Sequence, residues 1–214
     1  MNKLPRRTLL AGTAGALAAL ALPQAASASG LVDQPPIDHV DEWGGRPPNA
    51  EIPIVDGQPR WIILHHTGSA NIDDFSREQA HHHARITQTH GMEQGYPDTA
   101  FNFVASRGGY LTEGTRGSLE ATQDGAYFVV GNHTFNRNDE SIGIAVEGDY
   151  YDGELPPEDM WNALVALAAW VAEQYHVRTD DIVGHQDFAD TQCPGVLQDM
   201  LPEFREAVDE LRST

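Results

Sequence analysis

The chain has 214 residues, enough for one domain with a sizeable core. It carries 13 Lys and Arg against 32 Asp and Glu, a formal net charge of −19. That balance excludes general nucleic-acid binding, which needs a basic footprint, and docking to anionic membranes. A lone Cys excludes a disulfide framework, so the core, and with it any bound metal, has to supply the stability.

Residues 1–28 read as an export signal. Arg6-Arg7-Thr8-Leu9-Leu10 precedes an Ala/Leu/Gly run that ends at Ala26-Ser27-Ala28, an A-x-A cleavage site. The paired arginines favour the twin-arginine route, which exports folded proteins; an ordinary Sec signal with a chance Arg pair is the alternative. The apolar run is short and broken by Gly and Pro, so a membrane span is not expected, and no later run is long enough. The expected product is a secreted, monomeric protein, with no anchoring motif after residue 28. Its 10 Arg face all 32 acids without a single Lys, for a formal charge of −22.

Residues 29–59 are rich in Pro, Gly and acids and read as an irregular arm, anchored by Trp43. The domain proper is expected over 60–214. Arg60 to Leu64 is β-branched and apolar, a buried strand that would deliver His65 and His66 at its end. Asp73 to His90 reads as a helix capped by Asp74 or Ser76, with Phe75, Ala80, Ala84 and Ile86 as its apolar face. Within it, His81-His82-His83 point in different directions and are expected on an exposed surface rather than in a second metal site. Ala100 to Ser106 and Tyr110 to Glu113 read as a hairpin around Arg107-Gly108-Gly109. Ser141 to Val146 alternates, with Ile142, Ile144 and Val146 on one face and Gly143, Ala145 and Glu147 on the other. Pro156-Pro157-Glu158-Asp159 opens a helix whose Met160, Trp161, Leu164, Leu167, Ala168, Val171 and Tyr175 repeat at helical spacing. Ile182 and Val183 form a short strand leading to His185, and Val196 to Leu211 closes the chain as a helix. Strands and helices intermix without repeats, so the fold expected is a single α/β domain with a mixed central sheet flanked by helices.

Two imidazoles and the only thiol stand at the ends of such elements. His65 ends one strand, His185 ends another, and Cys193 lies on the loop beyond it. Two His and one Cys make a three-ligand zinc site with the fourth position open to water, the arrangement of catalytic rather than structural zinc. For either His alone a packed core role is the simpler reading, and Cys193 alone is a small buried hydrophobe.

The weight comes from the whole pattern. Asp41-Glu42-Trp43-Gly44-Gly45-Arg46-Pro47-Pro48 resembles the opening motif of peptidoglycan recognition proteins. Ile63-Leu64-His65-His66-Thr67 is similar to their first ligand strand, and Tyr96-Pro97-Asp98-Thr99-Ala100-Phe101-Asn102-Phe103 to their central strand. Gly131-Asn132-His133-Thr134, Ser141-Ile142-Gly143-Ile144 and His185 to Gly195 follow in the family's order. The resemblance runs from about residue 38 to the C-terminus and is to zinc-dependent N-acetylmuramoyl-L-alanine amidases of the phage-lysozyme type.

That resemblance implies that His65, His185 and Cys193 hold Zn²⁺ at the floor of an open groove, with His66 a non-ligand neighbour. It implies hydrolysis of the amide between the lactyl group of N-acetylmuramic acid and L-alanine in peptidoglycan or muropeptides. Two departures stand out. The family usually has Tyr where Phe101 stands, and a related branch has Glu where Ala145 stands. Thr191 matches a family Lys or Thr position. Glu147, two residues beyond Ala145 on the same strand face, is the candidate replacement base, a solvated strand-end acid being the alternative. His133 is the candidate oxyanion donor, or a loop His without a role. Trp43, Tyr96 and Phe101 are candidate groove-wall residues, the first two also readable as packing. Arg116 and Arg137 are candidates for pairing with stem-peptide carboxylates. Two rival functions follow from the departures: a recognition protein with weak or no hydrolysis, or a zinc hydrolase for a different amide.

Overall fold

The computed structural model describes residues 32–214, so the export signal expected over 1–28 lies outside the described residues. In chain order the elements are β1 (Ile37–Asp38), β2 (Ile54–Asp56), β3 (Trp61–His66), α1 (Arg77–Glu93), β4 (Phe103–Ala105) and β5 (Leu111–Glu113). Then come α2 (Ser118–Asp124), β6 (Tyr127–Val129), β7 (Ser141–Val146), α3 (Glu158–Gln174), β8 (Ile182–Gly184) and α4 (Leu201–Arg212). Six strands form a mixed sheet in the order β1-β5-β4-β7-β3-β8, and β2 pairs with β6 in a separate two-stranded ribbon. Only β4 and β5 run antiparallel in the main sheet, as the expected hairpin. The expected single α/β domain with a mixed central sheet and flanking helices is the fold observed.

Alternation along the central strands gives the sheet two unlike faces. On one, Ile62 and Leu64 of β3, Ile142, Ile144 and Val146 of β7, and Phe103 and Ala105 of β4 join the main core. Leu164, Leu167, Ala168 and Val171 of α3, with Phe204 and Val208 of α4, complete that core. The other face carries Ile63 and His65 on β3 and Gly143 and Ala145 on β7. Helix α1 packs on the β5 side of the sheet, reaching the end of β7 where Gln79 Nε2 donates to Glu147 Oε1 at 2.8 Å.

Several local expectations need correction. The arm is not irregular throughout: it supplies β1 to the main sheet, parallel to β5, and β2 to the ribbon. Helix α1 is capped by Ser76, whose hydroxyl accepts from Gln79 N at 3.2 Å, but its buried face is Ala80, His83, Ala84, Thr87, Gln88 and Gly91. Phe75 and Ile86 are exposed instead. That polar face is tolerated because its groups are matched: Gln88 alone binds Arg46 N, Arg46 O and Asp98 Oδ1. Of the three consecutive histidines only His82 is exposed; His81 Nε2 meets Asp38 Oδ2 at 2.6 Å and His83 is buried. The closing helix starts at Leu201, after a tight turn over Gly195–Gln198. Pro202 sets that start, since a proline lacks the N–H for an interior turn but fits the first.

Trp43 does anchor the arm, as a packing residue. It is 1% exposed, clusters with Val40 and Ala84, and its Nε1 donates to Glu113 O at 2.8 Å. Among the described residues no helix is long and apolar enough to cross a membrane.

Candidate metal centre and groove

Strand register makes the site. Parallel pairing of β3 with β8 sets Leu64 opposite Gly184, so the next residues, His65 and His185, emerge side by side. Their ring centroids are 4.5 Å apart. The loop after β8 returns Cys193 beneath β3, where its Sγ accepts from His66 N at 3.4 Å and lies 3.6 Å from His65 Nδ1. One nitrogen of each His and the Cys sulfur all lie within 4.8 Å of one another, close enough to bind one metal ion. A tetrahedral zinc with ordinary bond lengths would hold sulfur and nitrogen about 3.6 Å apart, so the His65–Cys193 edge fits.

The electrostatics fit as well. Burial pushes the His65 imidazole well below its usual range, helped by His133, His185 and His66 around it. Burial also lowers His185. Both rings are thus neutral at neutral pH, the form that ligates. The Cys193 thiol moves the other way, pushed up to about 12 by burial against a weaker pull from the His66 backbone. It therefore waits as a thiol until a cation displaces its proton.

Behind His65 stands His133. With Nδ1 of His65 turned to the sulfur, its proton sits on Nε2, 3.1 Å from His133 Nδ1 and 3.3 Å from Thr134 Oγ1. A ligand histidine that gives its second N–H to a fixed partner has its tautomer and ring orientation set. Burial drives His133 down to about 3, so it stays neutral and can accept. Its own loop is pinned by Asn138 Oδ1, which accepts from His133 N at 2.9 Å and Thr134 N at 2.7 Å. Gly143 makes room for the ring: a Cβ there would overlap it. His133 thus reaches the site, but its established contact is with His65. Its Nε2 has no hydrogen-bond partner of good geometry.

The triad opens into a groove of about 580 Å³. Tyr96 and Phe101, two of the candidate wall residues, line it together with Thr191 and His133. Thr191 Oγ1 accepts from Cys193 N at 3.2 Å, so it braces the thiol loop and keeps its own proton to give. The Phe101 ring sits 5.3 Å from the His65 ring, tilted 47°, with no hydroxyl to offer. Ala145, opposite His65 in register, is fully buried and brings no carboxylate.

Four other expected residues are elsewhere. Trp43 is sealed in its own cluster and does not line the groove. Arg116 is paired with Asp41 at 2.9 Å, and Arg137 with Glu140 at 2.6 Å while stacking over Phe188. Neither guanidinium lines the groove. Glu147 is neither a solvated acid nor a base beside the metal ligands. It is 1% exposed and its oxygens are occupied by Gln79 Nε2 and Arg107 N, at 2.8 and 3.0 Å. The residue beyond Val146 leaves the strand toward α1, which turns the carboxylate to the helix instead of back along β7.

The wall contributed by α1 was missed by sequence reasoning. His83, Thr87, His90, Gly91 and Gln94 line the groove. Their spacing of three and four residues is a helical stripe, and that polar stripe was the available signal.

Comparison with known proteins agrees with this geometry. The family model described as N-acetylmuramoyl-L-alanine amidase matches residues 55–196. The chain belongs to this family. Among relatives, peptidoglycan-recognition protein LB of Drosophila melanogaster is 28% identical over 155 residues, which is 72% of this chain but 62% of that protein. Its wild-type structure superposes with a TM-score of 0.64 at 26% identity, covering 75% of this chain and 88% of the other. The human N-acetylmuramoyl-L-alanine amidase is 28% identical over 179 residues, covering 78% of this chain and 28% of that protein. Peptidoglycan recognition protein LE, solved in complex with tracheal cytotoxin, a monomeric diaminopimelic acid-type peptidoglycan, gives a TM-score of 0.66 at 25% identity over 79% of this chain and 92% of that one. The family thus includes amidases and recognition proteins.

The protonation states give a testable consequence. Loading zinc at pH 6 should release clearly fewer than about 2.5 protons per ion, one of them from Cys193, because burial lowers both imidazoles. Histidines with an ordinary pKa near 6.5 would each be about three-quarters protonated at that pH and add roughly 1.5 protons together. Calorimetry in two buffers of different ionisation enthalpy separates these; release near 2.5 would contradict the assigned states.

Proposed function

We propose that this chain is a secreted zinc amidase that hydrolyses the amide between the lactyl group of N-acetylmuramic acid and L-alanine of muropeptides. The observation that carries the reading is the convergence of His65, His185 and Cys193 to within 4.8 Å of one another, close enough for one metal ion, in an open groove. A bound zinc ion would polarise the scissile carbonyl and lower the pKa of its water to about 7. The protein's own side chains do the rest. His133 and Thr134 fix the orientation of His65 through its Nε2. Thr191, with its oxygen engaged by Cys193 N, holds its hydroxyl proton toward the groove for the oxygen that gains charge. Phe101 and Tyr96 shape the flank of the groove beside the triad. Export through the signal over residues 1–28 would deliver the enzyme to its substrate.

One observation favours a second reading, recognition with little hydrolysis. No hydroxyl stands at Phe101 and no carboxylate at Ala145, and relatives of both kinds, recognition proteins and amidases, share the fold.

Mass spectrometry of a defined muropeptide incubated with the mature protein separates the two. Free stem peptide, abolished by a zinc chelator, is expected; intact muropeptide with zinc bound would leave recognition as the function. Restoring the missing hydroxyl should then raise the rate. Phe101→Tyr is expected to increase kcat by about a hundredfold, the scale of one oxyanion- or water-positioning group. No gain in a zinc-loaded, folded variant would mean that another group, with Thr191 the first to test, already fills that role.

A further inference from the structure

Glu147 and His83 form a buried acid–imidazole pair that the metal centre does not use. The Glu147 carboxyl accepts from two N–H donors, Gln79 Nε2 and Arg107 N. His83 Nδ1 lies 3.7 Å from Glu147 Oε1, too far for a direct hydrogen bond but close enough for an acceptor carboxyl to favour the ring proton on Nδ1. His83 is 4% exposed, lines the groove, and its Nε2 has no hydrogen-bond partner. Burial keeps the ring neutral at neutral pH, the pull of Glu147 and the push of His82 being smaller. With the proton on Nδ1, Nε2 is a bare lone pair. Buried acceptors are rarely left unmatched, and one on a residue that lines a groove is matched when a ligand brings the donor.

The position narrows the ligand. The rings packed against His65 are those of Phe101, His133 and His185, so His83 stands along the groove from the triad, on the α1 wall with Thr87 and Gln94. A neutral acceptor backed by a carboxyl repels anions, which rules against the carboxylates of the stem. A sugar hydroxyl can turn to donate or accept and is selected weakly. A peptide N–H only donates. We propose that His83, oriented by Glu147, is a substrate-reading residue whose Nε2 accepts a hydrogen bond from a backbone N–H of the stem peptide beyond L-alanine. This rests on the peptidoglycan reading above.

The test compares three ligands on the zinc-loaded protein: N-acetylmuramoyl-L-alanine, N-acetylmuramoyl-tripeptide, and the disaccharide carrying L-alanine alone. Half-saturation is read from turnover, or from calorimetry for a chain that only binds. His83→Leu should raise the value for the tripeptide by about tenfold relative to that for N-acetylmuramoyl-L-alanine, the scale of one lost hydrogen bond, with kcat for the tripeptide within about twofold. His83→Gln, which can bring an amide oxygen near the Nε2 position, should recover most of the loss. An equal change for all three ligands would reduce His83 to a packing residue and overturn the proposal, as would a change that follows glycan length. Should His83→Leu fail to fold, Glu147→Gln gives the same reading: a rise of a few-fold confined to the tripeptide is expected, and none overturns it. A wild type that neither binds nor cleaves any of the three would overturn the peptidoglycan reading, and this proposal with it.

Discussion

The site depends on β3 lying between two parallel neighbours. Parallel pairing with β8 brings His65 and His185 out of the sheet together, and parallel pairing with β7 sets Ala145 and the Gly143 clearance beneath His65 and His133. Because all three strands are buried on both faces, register is strongly enforced: a slip of one residue would turn Ile62, Leu64, Ile142 and Ile144 out of the core. The ligand geometry is thus held by hydrophobic burial on the opposite side of the same sheet. The core face fixes the position, and the polar face uses it.

That division explains which parts of the molecule were legible in its sequence. The strands 61–66 and 141–146, the hairpin and the long helix from 158 follow from strong, regular apolar patterns. The triad was legible from the ordered motifs along the whole chain, since its placement at strand ends and in a turn is by itself a weak signal. Short elements were not. Ser118–Asp124 and the ribbon of Ile54–Asp56 with Tyr127–Val129 gain their stability from tertiary packing, and three-residue strands leave no periodic signal.

Buried polar residues were the harder case. Glu147, His83 and Glu113 all lie in the interior although their types predict the surface. The two acids are accommodated by matched donors: Glu113 receives Val40 N from the arm as well as Gly117 N and Leu119 N, and Glu147 receives groups from α1 and from the hairpin turn. The matches to Val40, Gln79 and Arg107 join residues tens of positions apart and cannot be read from local pattern. The same holds for Arg116, tied to the distant Asp41, whereas Arg137 is tied up by its near neighbour Glu140. Arg116 and Arg137, assigned from their charge, and Glu147, assigned from strand alternation beyond Ala145, are all held away from the metal ligands by such partners.

The central claim is that three ligands of this chain, one sulfur and two nitrogens, hold a zinc ion with a fourth position left to solvent. X-ray absorption at the zinc edge of the metal-loaded mature protein tests it most directly. The account predicts one sulfur at about 2.3 Å and nitrogen or oxygen neighbours at about 2.0–2.1 Å, with the sulfur shell lost in Cys193→Ser. A first shell without sulfur in the wild-type protein would contradict it.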